Sequence, residues 1–259
     1  MRENRVKAAL KAGKTVVGAG MALTASPTVV RILANAGLDF LFIDTEHNHI
    51  PPDTLMDVVQ MARACGISPL VRPPDLEYHV IANTLDTGAD GLIVPRVETK
   101  EQAARLVSYA KFPPMGVRGC GTTAPLDFLR VDWREAIPWL NEQSLIAAQV
   151  ESVKAIENLD DILTVPGIDV IVVGPLDLSI SLGIPGQFND AKMTAAIDRV
   201  IATCKRHNVP SGIVMAPPEA IRPWWEKGMR FFSCGGDTGF LQSGSVASVK
   251  GVRAFAGAS

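Results

Sequence analysis

The segment Leu145–Ser179 constrains the fold of this 259-residue chain more than any other. Two short apolar runs, LIAAQVE and IDVIVVGP, flank sixteen residues in which Ile156, Leu159, Ile162 and Leu163 recur at helical spacing. The pattern is a strand, a helix and a second strand. Parallel strands joined by a crossover helix lie side by side or nearly so in one sheet, which brings their carboxyl ends together. Each end carries an acid: Glu151 closes the first run, and Asp177 follows the second by two residues. Gln149 shares the face of Glu151 by the two-residue strand period. Two hard oxygen ligands on one rim suit Mg²⁺ or Mn²⁺. Taken singly, either acid also reads as a helix cap or a loop residue.

The same unit repeats along the chain. Strands are predicted at Val16–Met21, Phe40–Asp44, Pro69–Arg72, Gly91–Pro95, Leu145–Glu151, Val170–Gly174, Ser211–Met215 and Arg230–Cys234. Helical spacing covers Glu3–Ala12, Pro27–Ala36, Pro52–Ala64, Glu77–Asp86, Lys100–Ala110, Leu126–Asn141, Val153–Leu163, Ala191–His207, Pro218–Lys227 and Ser245–Phe255. Eight βα units in about 250 residues is the pattern of a (β/α)₈ TIM barrel, with a doubly wound open sheet as the alternative. A barrel places its active site at the carboxyl ends of the strands. Those ends are chemically rich: Asp44, Glu46 and His47 in FIDTEH, Arg72 in VRPPD, Arg96 in VPRVE, then Glu151 and Asp177.

Composition narrows the class. With 47% hydrophobic and 20% charged residues, the chain supports one large core, so one domain across residues 1–259 is expected. The net charge of -2, with Lys and Arg scattered, gives no basic face for nucleic acid or an anionic membrane. Cys65, Cys120, Cys204 and Cys234 are far apart with no CxxC, which argues against a disulfide framework or zinc site and fits a reducing, cytoplasmic compartment. The early run TVVGAGMALTAS is interrupted by Gly18 and Gly20 and reads as a first strand rather than a secretory signal. No apolar run approaches the ~20 residues of a bilayer span.

The site candidates can be weighed individually. His47 and His49 form an H-x-H at a strand end, but the remaining histidines, His79 and His207, fall in helical patterns, so a binuclear hydrolase is poorly supported. Asp44 precedes His47 by three residues, near enough to fix its tautomer and raise its basicity. Arg72 is followed by Pro-Pro, which keeps the chain extended, and its fork can bind a carboxylate or an enolate. It reads equally as a salt-bridge partner of Asp44, Glu46 or Glu151. All ten lysines lie in helical or loop patterns, which disfavours a Schiff-base mechanism. Two long connections, Phe112–Pro125 with Arg118 and Ser179–Asp190, read as lids, subunit contacts or plain solvated loops.

The stretches IDTEHNHIPPDTL, PLVRPPD, GADGLIVPRVETKEQA, GVRGCGT, AAQVES and VGPLDLS, in this order, resemble the HpcH/HpaI-type class II pyruvate aldolases of the phosphoenolpyruvate-utilising barrel superfamily. The resemblance covers almost the whole chain. It implies a barrel assembled as a hexamer, a trimer of dimers exchanging C-terminal helices, that cleaves 4-hydroxy-2-oxo acids to pyruvate and an aldehyde with Mg²⁺, Mn²⁺ or Co²⁺. It further implies that Glu151 and Asp177 ligate the metal, Arg72 binds the enolate oxygen, and His47 held by Asp44 handles protons. Gln149, Gly174, Pro175 and Leu176 would line the substrate, and Asp86 would reach the site of a neighbouring subunit. Leu176 stands where the family usually has a small residue, and TTAPLDF departs from the usual run after GxRGxG, which leaves the aldehyde open. Two other functions remain: an acyl-CoA lyase of the same superfamily, and a non-catalytic barrel binding a metal and an oxo acid.

Overall fold

The computed structural model describes residues 1–121, 123–214 and 216–257. Met215, expected to end the seventh strand, and Thr122, in the first long connection, lie outside the described residues. The chain begins with α1 (Arg5–Lys11), β1 (Val16–Met21), α2 (Pro27–Ala34), β2 (Phe40–Asp44) and α3 (Pro52–Ala64). It continues through β3 (Ser68–Arg72), α4 (Tyr78–Asp86), β4 (Gly91–Val94), α5 (Lys100–Ala110) and α6 (Trp133–Gln143). Next come β5 (Leu145–Val150), α7 (Val153–Glu157), α8 (Leu159–Ile162), β6 (Val170–Val173) and α9 (Pro175–Ser181). The last elements are α10 (Ala191–Arg206), β7 (Ser211–Ile213), α11 (Pro218–Glu226), β8 (Phe231–Gly236) and α12 (Asp237–Ala256). Each strand pairs in parallel with the next, and β8 pairs with β1, closing an eight-stranded (β/α)₈ barrel.

The two-residue strand period sorts the core into layers. Phe40, Phe42, Leu70, Ile93, Leu145, Ala147, Val170, Val172 and Phe231 fill the interior, where Phe40 and Phe231 stack with ring centroids 4.3 Å apart. Val6 and Leu10 of α1 join this cluster and plug the amino-terminal end. Asn4 holds the plug in place: its side chain caps α1 and donates to the carbonyl of Asp90, just ahead of β4, at 2.8 Å. The alternate strand residues, such as Ile43, Val71, Leu92 and Val173, pack outward against the helices. Extending the inward period two residues beyond Phe42, Leu70, Ala147 and Val172 reaches Asp44, Arg72, Gln149 and Gly174. The repeat that fills the barrel therefore also assembles its polar rim.

Three expected helices differ from the structure. Leu126–Asn141 is not continuous: a short 3₁₀ turn at Ala124–Leu126 gives way to left-handed Asp127 and Phe128, and α6 starts only after the Asp132 cap, whose side chain accepts from the Arg134 amide. Val153–Leu163 divides at Asn158, which leaves helical geometry and donates its side-chain amide to the Glu98 carbonyl at 2.9 Å. The final helix starts at Asp237 rather than near Ser245, directly from β8. Among the described residues no helix is long and apolar enough to cross a membrane.

Candidate active site

Asp44 and Arg72 are register partners at the carboxyl ends of β2 and β3. Both are buried, and the Arg72 fork donates through Nε to Oδ1 and lies through Nη2 against Oδ2, each at 2.8 Å. Of the two sequence readings of Arg72, the structure therefore shows the ion pair, including a second one from Nη1 to Glu46 at 3.2 Å. Burial alone would raise the Asp44 carboxyl, but the Arg72 hydrogen bonds and charge, with the amides of Glu46 and His47, hold it below its usual range.

The expected Asp44–His47 pairing through the imidazole is corrected. Asp44 accepts from the backbone amides of Glu46 at 3.0 Å and His47 at 3.4 Å, and from the Asn48 side chain at 2.7 Å. It organises the turn, while the carboxylate near the His47 ring is Glu46, with Oε2 3.6 Å from Nε2. The ring is 55% exposed, so it faces the mouth of the barrel. Strand-end reading offered Glu46 as a salt-bridge partner for Arg72 and not as the neighbour of the His47 ring. The signal was available, because Glu46 continues the inward period from Asp44.

Glu151 follows β5 and is buried. It accepts from the Gln149 side-chain amide and, at 2.9 Å, from the backbone amide of Arg96. Burial pushes its carboxyl up, those two hydrogen bonds oppose the rise, and the charges of Asp177 and Glu46 add to it. Asp177 lies exposed in the first turn of α9, where Pro175 occupies a helix-start position. Gly174 leaves room for the Glu151 and Gln149 side chains: a Cβ there would sit 2.6 Å from Glu151 Oε2 and 2.9 Å from Gln149 Nε2. The neighbouring Leu176 is exposed.

This donor set fits a divalent cation. Among the described residues no group of three or more His, Cys, Asp or Glu could hold a metal, so the fit rests on two carboxylates. The carboxylates of Asp44, Glu46, Glu151 and Asp177 outnumber the guanidiniums of Arg72 and Arg96, and a cation would offset the Asp177 and Glu46 charges that add to the effect of burial on Glu151. Gln149 Oε1 is buried without a hydrogen-bond partner, leaving an acceptor beside this pair.

Arg96 completes the rim. It is a non-glycine residue at φ 56°, a left-handed conformation that costs roughly 1–2 kcal/mol. Besides its amide bond to Glu151, its guanidinium meets Glu46 at 2.9 Å, and its side chain is 71% exposed. Nothing in the sequence signals the left-handed turn.

Asp86 lies elsewhere. It ends α4 and accepts from Arg118 at 2.8 Å, and Arg118 is buried over the Phe112 ring, 4.6 Å from its centroid. Arg118 lines a recess with Arg2, Asn4, Arg63 and Asp90 at the amino-terminal end of the barrel. Arg118 and Pro125 of the first long connection therefore lie at the amino-terminal end of the barrel, away from its rim. At the rim itself, Asp237 ties β8 to the β1–α2 loop, accepting from the Ala22 amide at 3.1 Å and the Thr24 hydroxyl at 2.6 Å.

Comparison with known proteins gives a consistent result. Residues 21–243 match the family described as HpcH/HpaI aldolase/citrate lyase. The hydroxypyruvate/pyruvate aldolase of Deinococcus radiodurans is 35% identical over 242 residues, covering 92% of this chain and 86% of that protein. The 5-keto-4-deoxy-D-glucarate aldolase of Salmonella arizonae is 34% identical, covering 93% and 94% respectively. The crystal structure of an HpcH/HpaI aldolase from Desulfitobacterium hafniense superposes with a TM-score of 0.91 at 37% identity, over 96% of each chain.

Proposed function

The chain belongs to the HpcH/HpaI aldolase/citrate lyase family, and from that premise we propose that it is a divalent-metal-dependent carbon–carbon lyase. Its substrates are 4-hydroxy-2-oxo acids, cleaved reversibly to pyruvate, or a related 2-oxo acid, and an aldehyde. The observation that carries this reading is the buried Glu151, its carboxyl raised by burial and further by the Asp177 and Glu46 charges, and packed against the bare backbone of Gly174, three residues before Asp177. Glu151 and Asp177 would hold Mg²⁺, Mn²⁺ or Co²⁺. When bound, the cation would supply electrophilic polarisation of the 2-oxo acid.

The chain's own groups account for the remaining chemistry. His47, exposed at the mouth, takes the proton of the C4 hydroxyl as the C3–C4 bond breaks. The bonding pair moves toward C3 and the C2 oxygen, giving an enolate that gains a proton at C3 to become pyruvate. Arg72, held rigidly by Asp44, places fixed positive charge near the developing oxyanion. Gln149 orients Glu151 by donating to it. Gly174, Pro175 and Leu176 line the substrate, with Leu176 limiting the space left for the aldehyde half.

A single barrel unit across residues 1–259 carries this activity within a homo-oligomer, a hexamer built as a trimer of dimers. The apolar residues Phe240, Leu241, Val246, Val249, Val252 and Phe255 that α12 leaves exposed support exchange of this helix between subunits. Asp86, at the opposite end of its own barrel, would serve the rim of a neighbour. The free cysteines support a cytoplasmic enzyme. The test is a screen for pyruvate release from 4-hydroxy-2-oxo acids of increasing chain length. Absence of release from every member, together with no deuterium exchange at C3 of pyruvate, would overturn the assignment.

A further inference from the structure

We propose that Arg96 is a specificity-determining residue that binds an anionic group on the aldehyde half of the substrate. The inference rests on the aldolase reading of the same site and goes beyond it by assigning a ligand chemistry to the outer part of the pocket. Three observations support it. First, Arg96 holds a left-handed backbone conformation that Gly or Asn adopts more readily, yet the position carries a long cationic side chain. Second, its amide is bonded to Glu151, so the side chain starts at the reacting centre. Third, its donors are underused: among the described residues the side chain's partner is Glu46, through Nη2, which leaves Nε and Nη1 for a ligand.

Depth assigns the half of the substrate. Arg72 is only 10% exposed and has all three of its nitrogens against Asp44 and Glu46, so it serves the inner, oxo-acid end. Arg96 is 71% exposed and stands above it on the shared Glu46 carboxylate. The aldehyde half lies toward this mouth, where a planar fork matches a carboxylate and a lysine would not reproduce the geometry. Glu46 keeps the guanidinium over the pocket until a ligand anion shares it.

The experiment measures kcat/KM for condensation of pyruvate with succinic semialdehyde and with the neutral 4-oxobutanamide, using the metal-loaded full-length enzyme. Wild-type protein should favour the anion. Arg96→Asn preserves a residue suited to the left-handed turn, and it should lower the anion-to-amide ratio by about 10- to 100-fold, the range for a hydrogen bond to a charged group. The loss should appear in the aldehyde KM. Arg96→Lys should fall between the two, since it retains charge without the fork. If Arg96→Asn proves poorly folded, the wild-type ratio alone decides: a value near one overturns the proposal. An equal loss for both aldehydes, or a loss expressed in the KM of pyruvate, overturns it as well. Deuterium exchange at C3 of pyruvate separates the two levels, because wild-type enzyme that exchanges but shows no anion preference retains its aldolase assignment and loses only the Arg96 role.

Discussion

Arg72 and Asp44 face each other in register on adjacent strands, joined by two parallel contacts of 2.8 Å. The pair spans the inner rim, and its third nitrogen extends it to Glu46. Rigidity is the consequence, because both side chains are buried and every guanidinium nitrogen is engaged.

If this rigidity positions charge for the enolate oxygen, Arg72→Lys should lose about 10²-fold or more in kcat, as for removal of an oxyanion donor. A lysine keeps the charge but cannot reproduce the fork. Steady-state kinetics with bound metal quantified checks this, and near-normal turnover would leave Arg72 with only its ion pairs.

Asp44 gives a pH signature in stability. Its folded carboxyl sits below the usual range, so the stability it contributes is present above the unfolded value of 3.8 and is lost as pH falls through the lower, folded value. Asp44→Asn should destabilise the protein by roughly 3 kcal/mol at neutral pH, the cost of breaking a buried pair. Urea unfolding of both proteins should show the gap narrowing below about pH 4. A gap independent of pH would contradict the linkage.

Much of this arrangement was legible in the sequence because one period governs it. The alternation that buries Phe42, Leu70 and Ala147 carries on to Asp44, Arg72 and Gln149, so the inner rim could be read from strand ends. What stayed hidden depends on backbone departures. Asp127 and Phe128 adopt positive φ without being glycine, which ended the expected helix at Leu126–Asn141, although the Asp132…Glu135 capping pattern marked the true start. The partner of the His47 ring was misassigned because sequence spacing does not show that Asp44 is already occupied by Arg72. Arg96 was visible as a residue but not as a left-handed one.

His47 can be separated from the rest of the site by comparing two reactions. Oxaloacetate decarboxylation reaches pyruvate enolate with no C4 hydroxyl to deprotonate. His47→Ala should cut aldol cleavage by about 10²-fold or more while sparing decarboxylation comparatively well. The ratio of the two kcat/KM values decides, and equal losses would replace the general-base role with one in shaping the enolate site.

Lys111 provides a test of the opposite end of the barrel. It is buried, donates to the carbonyls of Asn141 and Ser144, and burial, with the nearby Lys7 charge, pushes its ammonium down to about 7. Between that value and the usual 10.5 the unfolded chain keeps a proton that the folded protein has released, so folding stability rises with pH across this window. Urea midpoints of wild type relative to Lys111→Met should increase from about pH 6 to about pH 9. A constant difference would show that Lys111 stays charged in its buried position.

Cleavage at the Glu151–Asp177 rim should be lysine-independent and metal-dependent. Its most direct measurement is pyruvate release from a racemic 4-hydroxy-2-oxo acid by metal-stripped protein, before and after Mg²⁺, Mn²⁺ or Co²⁺ is restored, with a parallel sample treated with borohydride and pyruvate. Release should disappear on stripping, return with the metal, and leave no covalent adduct. Undiminished release from stripped protein, or a lysine trapped by borohydride, would contradict it.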